Sequence, residues 1–209
     1  MEGVLEVYER PYNVAEPVVC QDEKSVSLHA EVRAPRPGGP GKIAKRDSEY
    51  KRCGTANVFC AVEPKAGRHF TEPTPRRTAG EYARFLGSLI RRYRRARTIH
   101  LVMDNLNIHC QKSLIDYYGK RVGTGLWRRL TVHYTPKHGS WLNQAEIEIS
   151  LFSRQCLGKR RIPALASLQG EAHAWNQRVN RARTKIDWTF SRRKAREKFG
   201  YDKILLQAV

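Results

Sequence analysis

Three short apolar runs constrain this chain more than any other feature. They are "PVVCQDEKS" at 17–25, "TIHLVMDNLNIH" at 98–109 and "RLTVHYTP" at 129–136. Runs of this length between polar or turn residues are buried strands. The first two end in an acid, Asp22 and Asp104. The third leads through "KHGSWLNQ" into a helical stretch that carries Glu146 and Glu148. Strands alternating with helices need a layered fold, so the pattern predicts one α/β or α+β domain with a mixed sheet. In such sheets ligands collect at the carboxyl ends of the strands, where these acids fall.

The other segments fill in that frame. Residues 25–33 alternate apolar and polar and predict a further strand. Residues 34–42, dense in Pro and Gly, predict a loop. Residues 55–64 and 67–74 predict a hairpin. Residues 78–97 predict the clearest helix, capped by Thr78 with Glu81 three positions on, and with Tyr82, Phe85, Leu86 and Ile90 on one face. Its last turns carry Arg91, Arg92, Arg94, Arg95 and Arg97. They suit either the helix C-terminal dipole or a DNA backbone. A second long helix is expected over 161–184, and a short basic one over 191–200 with a Gly stop. No internal repeat is present.

Charge narrows the function. With 39 Lys+Arg against 20 Asp+Glu the formal net charge is +19. That excess points to a polyanion, and nucleic acid leads because phosphate neutralisation with counterion release drives such binding. No run of 18 apolar residues occurs, so no membrane span is expected. The first residues do not resemble a secretory signal. Five cysteines, an odd number with no CxxC, exclude a disulfide scaffold or a zinc ribbon and predict a reduced, intracellular protein. Three carboxylates converging in so basic a chain need a cation to neutralise them. Oxygen ligands of this kind suit Mg²⁺ or Mn²⁺, and a pair of such ions can drive phosphodiester displacement.

Helical spacing does not choose between the two glutamates. Leu142, Ala145, Ile149, Phe152 and Cys156 form one apolar stripe. Glu146 and Glu148 both lie roughly 80° from its centre, on opposite sides.

The segments "VVCQDEKS", "TANVFCAVEP", "IHLVMDNLNIH" and "HYTPKHGSWLNQAEIEISLFSRQCL" resemble the catalytic domain of bacterial insertion-sequence transposases, prokaryotic relatives of the mariner transposases in the DDE superfamily. The resemblance covers nearly the whole chain. It implies an RNase H-like fold, a central mixed sheet flanked by helices. It implies cleavage of DNA at element ends, transfer of the 3′-hydroxyl into target DNA, and two Mg²⁺ or Mn²⁺ ions when DNA is bound. Matched position by position, it assigns Asp22, Asp104 and Glu146 as catalytic, metal-holding acids. Glu146 is preferred to Glu148 through the pattern Leu142-Asn143-Gln144-Ala145-Glu146. Glu23 belongs to the motif without being a ligand, and Glu148 is expected to be a solvated bystander.

Supporting roles fall to Asn105, His109, His138 and Asn143, the last placed for a hydrogen bond beside Glu146. DNA contacts are expected from Trp141, Arg154, Lys159, Arg160, Arg161, Arg192, Arg193 and Lys194. DNA ends and target DNA are the expected partners, with a homodimer on paired ends and no membrane. The expected location is the bacterial cytoplasm, on the nucleoid. The expected division is a linker-like segment at 1–16, the catalytic domain at 17–201 and a tail at 202–209. Full-length relatives carry an N-terminal helix-turn-helix region, whereas this chain starts at what looks like the linker, as a truncated or frame-split gene would. The stretch between Asp104 and Glu146 is longer than in many relatives, and residues 116–129 are expected to absorb the excess as a loop. Two rival readings are a truncated DNA-binding regulator without catalysis and an RNase H-like nuclease of another substrate.

Overall fold

The structure is a computed structural model that describes residues 1–200. The expected tail at 202–209 lies outside the described residues. At the centre is a five-stranded mixed sheet in the order β3-β2-β1-β4-β5. Its strands are β1 (Val18–Glu31), β2 (Tyr50–Glu63), β3 (Arg68–Thr74), β4 (Ile99–Met103) and β5 (Leu130–Tyr134). β1 runs antiparallel to β2 and parallel to β4, and β4 runs parallel to β5. β2 and β3 form the expected hairpin.

The two strands expected over 17–33 are one. No turn residue breaks the chain at Lys24–Ser25, so β1 continues and absorbs its irregularity as a register shift between Ser27 and His29. Side chains alternate along the sheet. Val19, Phe59, Ala61, Ile99, Leu101 and Met103 face one layer of core. Cys20, Val58, Cys60, Val62 and Val102 face the other.

Helix α2 (Ala79–Arg92) covers the first face with Tyr82, Phe85, Leu86 and Ile90. The Thr78 hydroxyl accepts from the Glu81 amide at 3.2 Å, which is half of the expected capping box. The Glu81 side chain turns to Arg84 instead. The helix ends at Arg92, so Arg94, Arg95 and Arg97 lie beyond it.

The expected loop at 116–129 is helical. Helices α3 (Gln111–Tyr118) and α4 (Lys120–Trp127) meet at Gly119, whose φ of +80° a side chain would strain. A Cβ on Gly123 would come within 2.6 Å of the Leu114 carbonyl. Gly123 therefore lets the two helices approach closely. Leu114, Leu126 and Trp127 join the α2 layer of core, and that burial stabilises the insert as helix.

The second face carries α5 (Ala145–Phe152), α6 (Leu165–Ala182), α7 (Arg192–Phe199) and α1 (Glu2–Glu9). Residues 1–16 are not a free linker. Val4, Leu5, Val7 and Tyr8 of α1 are buried, and Glu2 and Glu9 pair with Arg196 and Arg192 of α7. Helix α6 begins at Leu165, just past Pro163. It is stitched to the edge strand β3 by side-chain amides. Asn176 bonds both the amide and the carbonyl of Thr71, and Asn180 bonds both of His69. Among the described residues no cysteine is in a disulfide. No helix there is long and apolar enough to cross a membrane.

Candidate active site

Strand register brings two of the acids level. Cys20 pairs with Val102 across parallel strands, so Asp22 and Asp104, each two residues further on, come level where β4 ends, while β1 continues along β2. β5 ends at Tyr134. A turn through residues 135–139 and a 3-10 turn at Ser140–Leu142 then deliver α5 to the same end. Leu142 and Ala145 seat that entrance in the core, and the Tyr8 hydroxyl donates to the Leu142 carbonyl at 2.8 Å. Glu146 is exposed on the first turn of α5.

Electrostatics ties the three acids together. Burial pushes the Asp22 carboxyl up to about 7, and the charges of Glu23, Glu146 and Asp104 push the same way. The Glu23 amide, donating to Asp22 Oδ1 at 2.8 Å, works against them. Asp104 is held below the usual carboxylate range, chiefly by its hydrogen bond from His109.

His109 is buried between two acids. Its Nδ1 donates to Asp104 Oδ1 at 2.5 Å. Its Nε2 lies 3.1 Å from Glu23 Oε2, an ion-pair contact outside hydrogen-bond alignment. Burial opposes an imidazolium, but the two carboxylates outweigh it and raise His109 to about 9. The Tyr82 ring packs on the imidazole, and the Tyr134 hydroxyl donates to the His109 carbonyl.

Asn143 serves a different acid from the one its spacing suggested. Its Nδ2 donates to the Gln21 carbonyl at 2.8 Å and reaches Asp22 Oδ2 at 3.4 Å. Its Oδ1 accepts from the Ala145 amide, so one side chain joins β1 to the start of α5 beside Asp22. Asn105 and His138 are exposed and make no side-chain hydrogen bond among the described residues. His138 occupies a turn with φ +63°.

Glu148 corrects the expectation of a solvated bystander. It is 1% exposed, and its Oε2 lies 2.7 Å from His69 Nδ1. The other nitrogen of His69 donates to the Thr184 carbonyl at 3.0 Å. The pair fastens α5 to β3 and to the chain after α6. Helical spacing left the two glutamates equivalent because the deciding partner lies on a strand far away in sequence. One further residue of the site escaped sequence reasoning. Arg77 pairs at 3.2 Å with Glu23, the motif acid expected not to be a ligand, which also takes the free side of His109. The one signal for Arg77 was its place just before a capped helix.

The expected DNA contacts divide into free and committed cations. Arg154 and Lys159 are exposed and have no side-chain partner among the described residues. Arg160 pairs with Glu171. Arg161 binds Glu31 and the carbonyls of Asp47, Ser48 and Glu49, so it holds a loop instead of facing solvent. Arg192 pairs with Glu9 and Arg193 with Glu197, and the Lys194 ammonium donates to the Thr189 carbonyl. Trp141 is 45% exposed, and its ring meets Phe190 edge-on.

A set of hard oxygen donors, one of them driven toward protonation by burial and then by its acidic neighbours, fits a divalent cation chemically. Among the described residues no three His, Cys, Asp or Glu side chains already stand at metal-holding distances.

Comparison with known proteins agrees with this architecture. No curated protein matches the chain. Among solved structures, the Mos1 transposase paired-end complex with left transposon end superposes with a TM-score of 0.55 at 17% identity, covering 88% of this chain and 57% of that one. The Mos1 strand transfer complex gives 0.52 at 16%, covering 90% and 60%. The catalytic domain of Mos1 mariner transposase gives 0.50 at 13%, covering 90% and 91%. At these identities the likeness shows the fold, which is the RNase H-like fold of a transposase catalytic domain. The chain spans little more than half of the longer Mos1 chains. A family model described as DDE superfamily endonuclease matches residues 17–169, well over half of the sequence, and the chain therefore belongs to the DDE superfamily endonucleases.

Proposed function

We propose that this chain is the catalytic domain of an insertion-sequence transposase, in which Asp22, Asp104 and Glu146 hold Mg²⁺ or Mn²⁺ against a DNA phosphodiester. The observation that carries the reading is the meeting of Asp22, Asp104 and Glu146 at one end of the sheet in a protein of net charge +19. Burial first, and then the charges of Glu23, Glu146 and Asp104, raise the Asp22 carboxyl to about 7, as at a functional acid. A divalent pair bound there would make the attacking oxygen nucleophilic and stabilise the leaving one.

The chain's own residues prepare the site. His109 orients Asp104 and neutralises Glu23 together with Arg77. Asn143 holds Asp22 at the joint of β1 and α5. Arg154 and Lys159, past the catalytic helix, offer cations to the phosphate backbone. The partners are DNA ends and target DNA, with two copies on paired ends. The catalytic unit runs over residues 17–201 with α1 packed into its core, and its place of action is the bacterial cytoplasm on the nucleoid.

The test is metal-dependent nicking of a duplex carrying the element end. Asp22→Asn and Glu146→Gln remove nicking and leave DNA binding intact. Undiminished Mg²⁺-dependent cleavage by both variants sinks the proposal.

A further inference from the structure

Positive charge outside the carboxylate site is unevenly used. Where an acid is within reach, the arginines take it: Arg10 with Glu6, Arg84 with Glu72, Arg97 with Glu16, Arg160 with Glu171. Arg91, Arg94, Arg95 and Arg128 do not. All four are exposed, and their side chains have no ion-pair or hydrogen-bond partner among the described residues. The carboxylates nearest this end of the sheet are occupied. Glu16 holds Arg97, and Glu63 holds Tyr93 and Arg68.

The turn that follows α2 does not use these four side chains. Arg129 holds it, with its Nη2 donating to the carbonyls of Tyr93 at 3.0 Å, Arg94 at 3.4 Å and Ala96 at 2.8 Å. The same contact holds the 128–129 joint against the turn at 93–96, so the four exposed arginines belong to one end of the sheet.

Topology puts that end at the far pole from the acids. The arginines precede the N-terminal ends of the parallel strands β4 and β5, whereas Asp104 and Glu146 follow their C-terminal ends. Five strand residues separate the two levels, about 17 Å at ~3.3 Å per residue. The poles also face opposite ways. Duplex DNA is stiff over ~150 bp, so a segment laid across the carboxylate end of the sheet does not bend round to the arginine end. Unpaired guanidinium groups on an acid-free surface complement a phosphate backbone.

We propose that this pole is a second nucleic-acid backbone surface, which holds a duplex segment other than the one presented to the carboxylates. The inference rests on the reading of DNA as the substrate and adds a second site on each chain. Its test counts short duplexes per chain by sedimentation, because a count per chain is unaffected by dimer formation. At low salt the wild-type chain takes up two 16-bp duplexes. The variant Arg91→Gln/Arg94→Gln/Arg95→Gln/Arg128→Gln takes up one, and the salt slope of total binding falls by about three to four units at ~0.9 per phosphate contact. Nicking of a single duplex is unchanged in that variant. A control with the same loss of charge, Lys42→Gln/Lys45→Gln/Lys51→Gln/Arg52→Gln, still takes up two.

One duplex per wild-type chain overturns the proposal and leaves the pole to an acidic protein partner. Two duplexes on the arginine variant overturn it as well, as does an equal loss in the control. Nicking with one duplex per chain defeats this inference alone. Two per chain without nicking defeats the catalytic reading alone.

Discussion

His109 and His69 each lie against a carboxylate, and the two places use the pairing differently. At His109 both ring nitrogens meet acids, Asp104 and Glu23. The side chain of Asp104 stays 41% exposed, and its second oxygen takes no hydrogen bond among the described residues. The histidine is sealed while its acid still faces solvent. At His69 the second nitrogen meets only the Thr184 carbonyl, and both partners are 1% exposed. That pair is internal on every side and works as a cross-link. What lies beyond the acid, solvent or core, separates a carboxylate available for chemistry from one spent on structure. The same contrast separates Glu146 from Glu148 within one short helix.

Stability measurements test the contrast most severely. Glu148→Ala leaves His69 without its partner in the core and costs about 3–5 kcal/mol in urea unfolding. Glu148→Gln keeps a hydrogen-bonding group there and costs about 1–2 kcal/mol. Exposed Glu146→Gln stays within about 0.5 kcal/mol of wild type while nicking disappears. Equal stabilities for the Glu146 and Glu148 variants would erase the distinction.

Next in size is the effect of His109. His109→Ala releases Asp104 and leaves Arg77 as the ion-pair partner of Glu23, so nicking falls about 10–100-fold, as for other residues that orient a metal ligand. Titration of bound Mn²⁺ would show the affinity falling in parallel. An unaltered affinity would reduce His109 to a packing residue.

A smaller effect appears with pH. Burial opposes the charged form of His69, but the hydrogen bond and charge of Glu148 and the Thr184 carbonyl raise its pKa above the ordinary value. The folded chain thus binds that proton more tightly than the unfolded chain does. The stability it contributes is complete below about pH 6.5 and is lost as pH rises through the raised value. The stability gap between wild type and His69→Gln therefore narrows above that pH. A gap that stays flat from acid to alkaline pH would rule out the extra proton. Smallest of all are Asn105→Ala and His138→Ala, each within about 0.5 kcal/mol of wild type, because both side chains are exposed and unpartnered.

Much of the frame is legible in the sequence for local reasons. Apolar runs of strand length mark β4 and β5, and Thr78 with Glu81 marks the start of α2. The part that is not legible depends on partners far apart in the chain. Nothing near Glu148 announces His69, 79 residues away. Asn143 faces Asp22 because β1 passes beneath the entrance of α5, which spacing along one helix does not reveal. The glycines at 119, 123 and 125 suggest a loop, yet Gly123 serves contact between two helices, a role visible only once both exist. For the three acids, strand ends point to Asp22 and Asp104, but the choice of Glu146 depends on a family motif.

The amide stitching of α6 onto β3 has a consequence for growth of the sheet. A sheet offers strangers two margins. Here one of them has its outward backbone groups at His69 and Thr71 already claimed by Asn180 and Asn176. The opposite margin is β5, five residues long. The side of the sheet that α6 covers is therefore closed to a further strand, and a stranger strand would have to add on the other side, along five residues.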